Sequence, residues 1–146
     1  MYPPPTKSEA SSRRRGAAAV ELALVAPLFL LLLAGIMEFG QAFCIKHTLS
    51  NAARRGARAA VVQSATSSRV SDIVKQQCVS SLGVQTADVT VTIDIANKPG
   101  VDVSSAVTGD EVSVTVGIPF SKAGAGFFSN TFSKTVLHSK CTFERE

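Results

Sequence analysis

Glu21 is the residue with the clearest chemical demand on its surroundings. It stands inside an otherwise apolar run, where a carboxylate needs an interface, a partner or a task. Arg13, Arg14 and Arg15 precede it, and Gly16 separates them from the apolar residues. Two chemistries are open to Glu21: it can snorkel to the aqueous interface, or it can accept a charge-assisted bond from an amine that also lies in apolar surroundings. The other reactive types form no catalytic constellation. Cys44, Cys78 and Cys141 show no C-x-x-C spacing, which disfavours a zinc or dithiol redox site. His47 and His138 are far apart in sequence, G-x-S-x-G is absent, and Gly124-Ala125-Gly126 lacks the lysine of a phosphate loop. Asp110-Glu111 follows Gly109 and suits a turn. The expectation is a protein without catalytic residues, metal or cofactor, and not an enzyme.

The element that must hold Glu21 is a helix. Ala17 to Met37 reads AAAVELALVAPLFLLLLAGIM, and a helix of this length spans roughly 30 Å, the thickness of a bilayer's hydrocarbon core. Pro27 removes one backbone donor and can bend the span. Glu38 closes the run, where a solvated carboxylate is expected. Arg13, Arg14 and Arg15 favour the cytoplasmic side, which puts the C-terminal part across the membrane, in the periplasm if the cell is bacterial. A secretory signal peptide is the plain competitor, but the run is long for one. No small-x-small site with a polar start follows it, and Cys44 lacks a lipoprotein-type run before it. An uncleaved signal anchor remains open.

Charge supports orientation rather than nucleic-acid binding. The 146-residue chain carries a formal +4, of which +3 lies in residues 1–16 and +1 in the remainder. Residues 1–12 are Pro- and Ser-rich and read as a disordered leader. At this length one modest domain and a tail are available, which excludes a large multidomain enzyme.

Beyond the span the helical period continues to about residue 62. Ile45, Leu49, Ala52, Ala53, Gly56 and Ala60 form one stripe, and His47, Asn51, Arg54, Arg55 and Arg58 form the other, read as a solvated face. A Ser/Thr-rich break at 64–68 caps a second helix whose apolar face includes Val70, Ile73, Val74, Cys78 and Leu82, with Gly83 as its stop. Alternation at Val89–Ile95 and Val112–Ile118 predicts two strands, Thr135–Phe143 a third, and Val101 with Val103 a short edge segment. Gly124–Asn130 reads as a loop. The fold class is therefore α+β: a long N-terminal transmembrane and amphipathic helix, then a short helix packed on a small antiparallel sheet. The expected divisions are a leader at 1–16, a long helix at 17–62 with its span at about 17–38, and a domain at 66–146. Cys78 and Cys141 both fall on inward faces and form the expected disulfide pair, two buried free thiols being the alternative, while Cys44 is expected to stay unpaired or to pair between subunits. Closing the Cys78–Cys141 loop would contribute roughly 4 kcal/mol by the entropic account.

RRRGAAAVE followed by an apolar run resembles a type IV prepilin processing site, and the longer stretch RRRGAAAVELALVAPLFLLLLAGIMEFGQAF is similar to the TadE-like minor pilins or pseudopilins of the tight-adherence (Tad, Flp) pilus system. NAARRGARAAVV and TVLHSKCTFERE share the likeness. The resemblance implies a pilin-like fold, cleavage between Gly16 and Ala17 by a prepilin peptidase, and a role for Glu21, fifth in the mature chain, in subunit register. It also implies Tad pilins and an inner-membrane assembly platform as partners alongside membrane lipid, no nucleic acid, and a function in pilus assembly and adhesion. It implies a single pass through the bacterial inner membrane and an extracellular pilus as a later location. An uncleaved periplasmic adaptor, a ligand-binding module and a secretion-system pseudopilin are the alternatives.

Overall fold

The computed structural model describes residues 7–96, 98, 100–124 and 134–145, with side chains from Gly16 onward. It divides the chain into two units, Met1–Met37 and Glu38–Glu146. The first helix, α1, is Lys7–Ala60. It starts earlier than the sequence suggests, so the part of the leader from Lys7 is helical instead of disordered. Lys, Glu, Ala and Arg are good helix formers, and once the apolar segment is helical each added residue gains a backbone bond without a new nucleation cost. Residues 1–6 lie outside the described residues.

Among the described residues, the large side chains of α1 in the first unit are exposed. Leu28 is 74% exposed and Leu24 75% exposed. The helix from Gly16 is long and apolar enough to cross a membrane.

In the second unit the same helix changes its surface. Ile45, Leu49, Ala52, Ala53, Ala57 and Ala60 are buried, while His47, Asn51, Arg54, Arg55 and Arg58 are exposed, as the 3.6-residue period requires. That stripe begins at Glu38, which is buried at 8% exposure instead of solvated. Positions 38, 41, 42 and 45 share one face, so Glu38 follows the stripe into the folded unit.

The second helix, α2, is Ser67–Leu82. Thr66 caps it with a side-chain oxygen that accepts from the Arg69 N–H, and Gly83 ends it at φ 66°, the left-handed conformation that glycine adopts without a Cβ penalty. Val70, Val74 and Cys78 are its buried positions. Three strands follow: β1, Thr90–Ile95; β2, Glu111–Pro119; and β3, Val136–Glu144. They form an antiparallel sheet in the order β1-β2-β3. A short helix, α3 (Phe120–Ala123), leaves the end of β2. Gly124 follows it, and the rest of the expected loop, 125–130, lies outside the described residues.

The register aligns Ile93 with Val114 and Val114 with Cys141, so Val91, Ile93, Ile95, Val112, Val114, Val116, Ile118, Leu137, Cys141 and Phe143 share one face. Central β2 is the most buried strand, with Val112, Val114, Val116 and Ile118 all at 0% exposure. Gly56 explains how α1 reaches this layer. A Cβ there would lie 2.4 Å from Val74 Cγ2 and 3.2 Å from Val114 Cγ1, so hydrogen alone fits where α1, α2 and β2 converge. The expected edge segment at Val101 and Val103 is instead a 3-10 turn, Val103–Ser105, with Val103 fully buried. Its geometry follows from Asp102, whose side chain accepts the Ser104 N–H and closes an Asx turn.

The expected Cys78–Cys141 disulfide is not formed, and Cys44, Cys78 and Cys141 are all free. Cys78 sits on α2, which packs on β1, and Cys141 on β3, which pairs with β2 and not with β1. Both residues face inward, and sharing an inward face does not by itself make them neighbours.

Candidate functional site: the Gly16 to Glu21 segment

Gly16, Ala17, Ala18, Ala19, Val20 and Glu21 are all exposed positions of α1. Nothing lies within 4 Å of where a Cβ on Gly16 would stand, so packing does not demand glycine there. Gly16 does not break the helix, contrary to what its low propensity suggests. Its contribution is a local weakness of about 1 kcal/mol relative to alanine, which lowers the energy needed to unwind the Gly16–Ala17 bond.

Ala17 and Glu21 are one turn apart on the same helical face, about 6 Å along the axis. Among the described residues, no side chain hydrogen-bonds or pairs with Glu21. The site therefore presents a carboxylate on a lipid-competent helix, four positions after the residue whose amine would be released by cleavage. Arg13, Arg14 and Arg15 belong to α1, and their side chains lie outside the described residues.

The polar stripe of the second unit is separate from this segment. Arg55 donates to Gln77 Oε1 at 2.6 Å and ties α1 to α2. His47 Nδ1 and Asn51 Nδ2 are 3.2 Å apart, a contact within the helix face. Arg54, Arg55, Arg58 and His47 are all exposed, as expected of a solvated face. Cys44 is exposed.

Sequence reasoning gave no part to Asp102. Its Oδ1 accepts from Ser104 N at 2.8 Å and its Oδ2 from Ser67 N at 3.2 Å, while Ser67 Oγ accepts from Val103 N at 3.0 Å. The reciprocal bonds fasten the 3-10 turn to the start of α2. Hydrogen bonding, first from Ser104 and then from Ser67, lowers the Asp102 carboxyl to about 2. The Asp102-Val103-Ser104 spacing was the available signal, since aspartate commonly accepts the amide two residues on. Asp110 is also held below the usual carboxylate range, chiefly by Lys98 at 2.8 Å and also by the Val107 N–H. Burial pushes the Cys78 thiol up, in keeping with its fully buried place in the core.

The outer sheet face carries an open depression lined by Asp94, Glu111, Ser113, Lys140 and Thr142, among others. It is open, and its lining mixes polar and apolar groups, unlike the closed apolar pocket expected of a ligand-binding module.

Comparison with curated proteins returns no match, and comparison with solved structures returns none. A family model described as TadE-like protein matches residues 16–58, from Gly16 through the apolar span and into the packed half of α1. This chain carries a TadE-like helical segment, and the segment includes both Gly16 and Glu21.

Proposed function

We propose that the chain is a minor pilin or pseudopilin of a Tad-type pilus, a substrate of a prepilin peptidase and not itself an enzyme. The observation that carries this reading is the exposed apolar helix with Glu21 five positions after Gly16, inside the TadE-like match. In this account Arg13, Arg14 and Arg15 hold the N-terminus in the cytoplasm. The peptidase hydrolyses the Gly16–Ala17 bond near the interface, where glycine eases unwinding. Cleavage leaves an α-amino group on Ala17.

The new ammonium and the Glu21 carboxylate are too costly to leave separately in hydrocarbon. Packed beside another pilin helix, each offers the charge that the other needs, and their bond sets the axial stagger of neighbours. The exposed Leu, Val and Phe side chains then exchange lipid for other helices of the assembly. The partners are the peptidase, other Tad pilins and the inner-membrane platform, and the outcome is pilus assembly and adhesion.

Intact-mass measurement of the membrane form tests the processing step. Expression with an active prepilin peptidase should remove residues 1–16, and retention of those residues would favour the uncleaved anchor. A Glu21→Ala chain should still be cut yet fail to assemble; normal assembly would reject the register role.

A further inference from the structure

The second unit carries charge of opposite sign on its two outer faces. On the helix side, Arg54 and Arg58 are exposed one turn apart, a like-charge spacing that weakens a helix. Arg55 beside them is held by Gln77, and among the described residues no carboxylate pairs with Arg54 or Arg58. Asp72, the exposed acid of α2, has Arg69 and Lys75 three residues to either side. On the sheet side, the register sets exposed Glu111 directly opposite exposed Glu144, a like-charge pair with Cβ atoms about 5 Å apart. Asp94, opposite Ser113, lies diagonally beside Glu111 on the same outer face. Lys140 stands two same-face positions back along β3, and Lys98 is taken by Asp110 at 2.8 Å. Residues 97, 99, 125–133 and 146 include no Lys or Arg, so they bring no cation to this corner.

The two faces stand back to back, because α1 and α2 cover the inner face of the sheet. Gly56, within one turn of Arg54, Arg55 and Arg58, packs on Val114 of β2. Glu111 is three strand residues from Val114, so both charged rows lie within about 10 Å of one level. Lipid phosphate does not fit the arginines. Arg54 follows Glu38, at the end of the span, by roughly 24 Å of helix, well beyond the thickness of a headgroup layer.

We propose that the arginine face of one copy docks on the acidic corner of the outer sheet face of a second copy held in the same membrane orientation. Such copies are related by rotation about the membrane normal and translation along it. A two-fold about that axis brings like faces together, arginine against arginine or carboxylate against carboxylate, and both contacts repel. Joining unlike faces relieves the two like-charge arrangements at once. It also leaves every pair with one free arginine face and one free acidic face, so the contact is heterologous and extends to further copies. The inference rests on the single membrane orientation of the proposed function and not on cleavage at Gly16.

The test uses the full chain in membranes of bacteria without a prepilin peptidase, which keeps it independent of processing. Cys44→Ser removes the exposed native thiol, and Asn51→Cys with Thr142→Cys places one thiol on each exposed face. An impermeant maleimide should label both in intact spheroplasts; labelling that requires lysis would overturn the orientation and the contact with it. The flexible crosslinker bis-maleimidohexane should then give a covalent ladder that runs past the dimer. Arg54→Glu with Arg58→Glu, or Glu111→Lys with Glu144→Lys, should lower its yield about tenfold, as should about 1 M salt. All four exchanges in one chain should restore it. If one reversed pair shifts the domain's melting transition, the other pair and the salt series decide. A missing ladder, or no recovery in the four-fold exchange, overturns the proposal. So does a ladder that survives both reversals, which would point to association through the apolar helices. Loss on reversing the arginines alone overturns the self-contact in favour of a different acidic partner.

Discussion

The two halves of α1 obey one geometry in two solvents. In residues 17–37 the bulky side chains are spread around the helix and exposed, with Phe29 at 57% and Leu30 at 63%, whereas in residues 45–60 small side chains form one buried stripe. The first half carries a large apolar surface that is exposed among the described residues, the kind of surface that lipid or other helices cover. The second half approaches α2 and β2 closely enough that Gly56 has no room for a methyl group. Apolar composition alone does not distinguish a core helix from a span; side-chain size and angular spread do.

Truncation should separate the halves most sharply. Leu49→Ala removes a fully buried side chain and should destabilise the second unit by about 2–5 kcal/mol in urea unfolding. Leu24→Ala, in the exposed half, should leave that transition unmoved; equal losses would mean that the span is part of the domain's core. A charge reverses the sensitivity. Leu28→Arg should disfavour membrane insertion by about 3 kcal/mol on the insertion scale, read as extraction from membranes by carbonate, while the second unit melts as before.

Gly56 sharpens the comparison with the smallest possible change. A methyl group placed 2.4 Å from Val74 Cγ2 must displace α2 or force Val74 into another rotamer. Gly56→Ala should therefore cost about 1–3 kcal/mol despite alanine's better helix propensity. Gly35→Ala, where nothing lies within 4 Å, should have no such effect on domain stability. A stabilising Gly56→Ala would mean that the close approach at this point is not rigid.

Where the pattern is local, the sequence reads well. The stripe from Ile45 to Ala60, the Thr66–Gly83 bounds of α2 and the alternation in β1 and β2 all follow from side-chain period and capping. The TadE-like resemblance was legible for the same reason, since the matched segment 16–58 is contiguous. What required tertiary structure was less visible. Cys78 and Cys141 both face inward, but sequence does not reveal that β3 pairs with β2 and not with β1, on which α2 packs. Glu38 looks like the polar end of a span because hydropathy ignores the angle at which its side chain leaves the helix. Val103 alternates like a strand residue, yet the side chain of Asp102 diverts the backbone into a turn.

Asp102 offers the smallest and most local prediction. Its carboxylate joins the 3-10 turn to the start of α2, with a folded-state value of about 2 against an ordinary value near 3.9. A group whose proton affinity is depressed by folding stabilises the folded state above its unfolded value and loses that contribution as pH falls through its folded value. The sensitive window is therefore about pH 4 down to pH 2. Asp102→Asn removes the titrating charge and retains a side-chain oxygen for the Ser104 N–H. Its urea midpoint should fall less than that of the parent across this window, and the gap between the two proteins should narrow as the parent's carboxylate is protonated. Because the site is exposed, salt should reduce the difference only modestly: short hydrogen bonds to Ser104 and Ser67, not a distant field, hold the proton affinity down. Parallel loss of stability in the two proteins would show that the Asp102 bridge does not distinguish the folded state from the unfolded one.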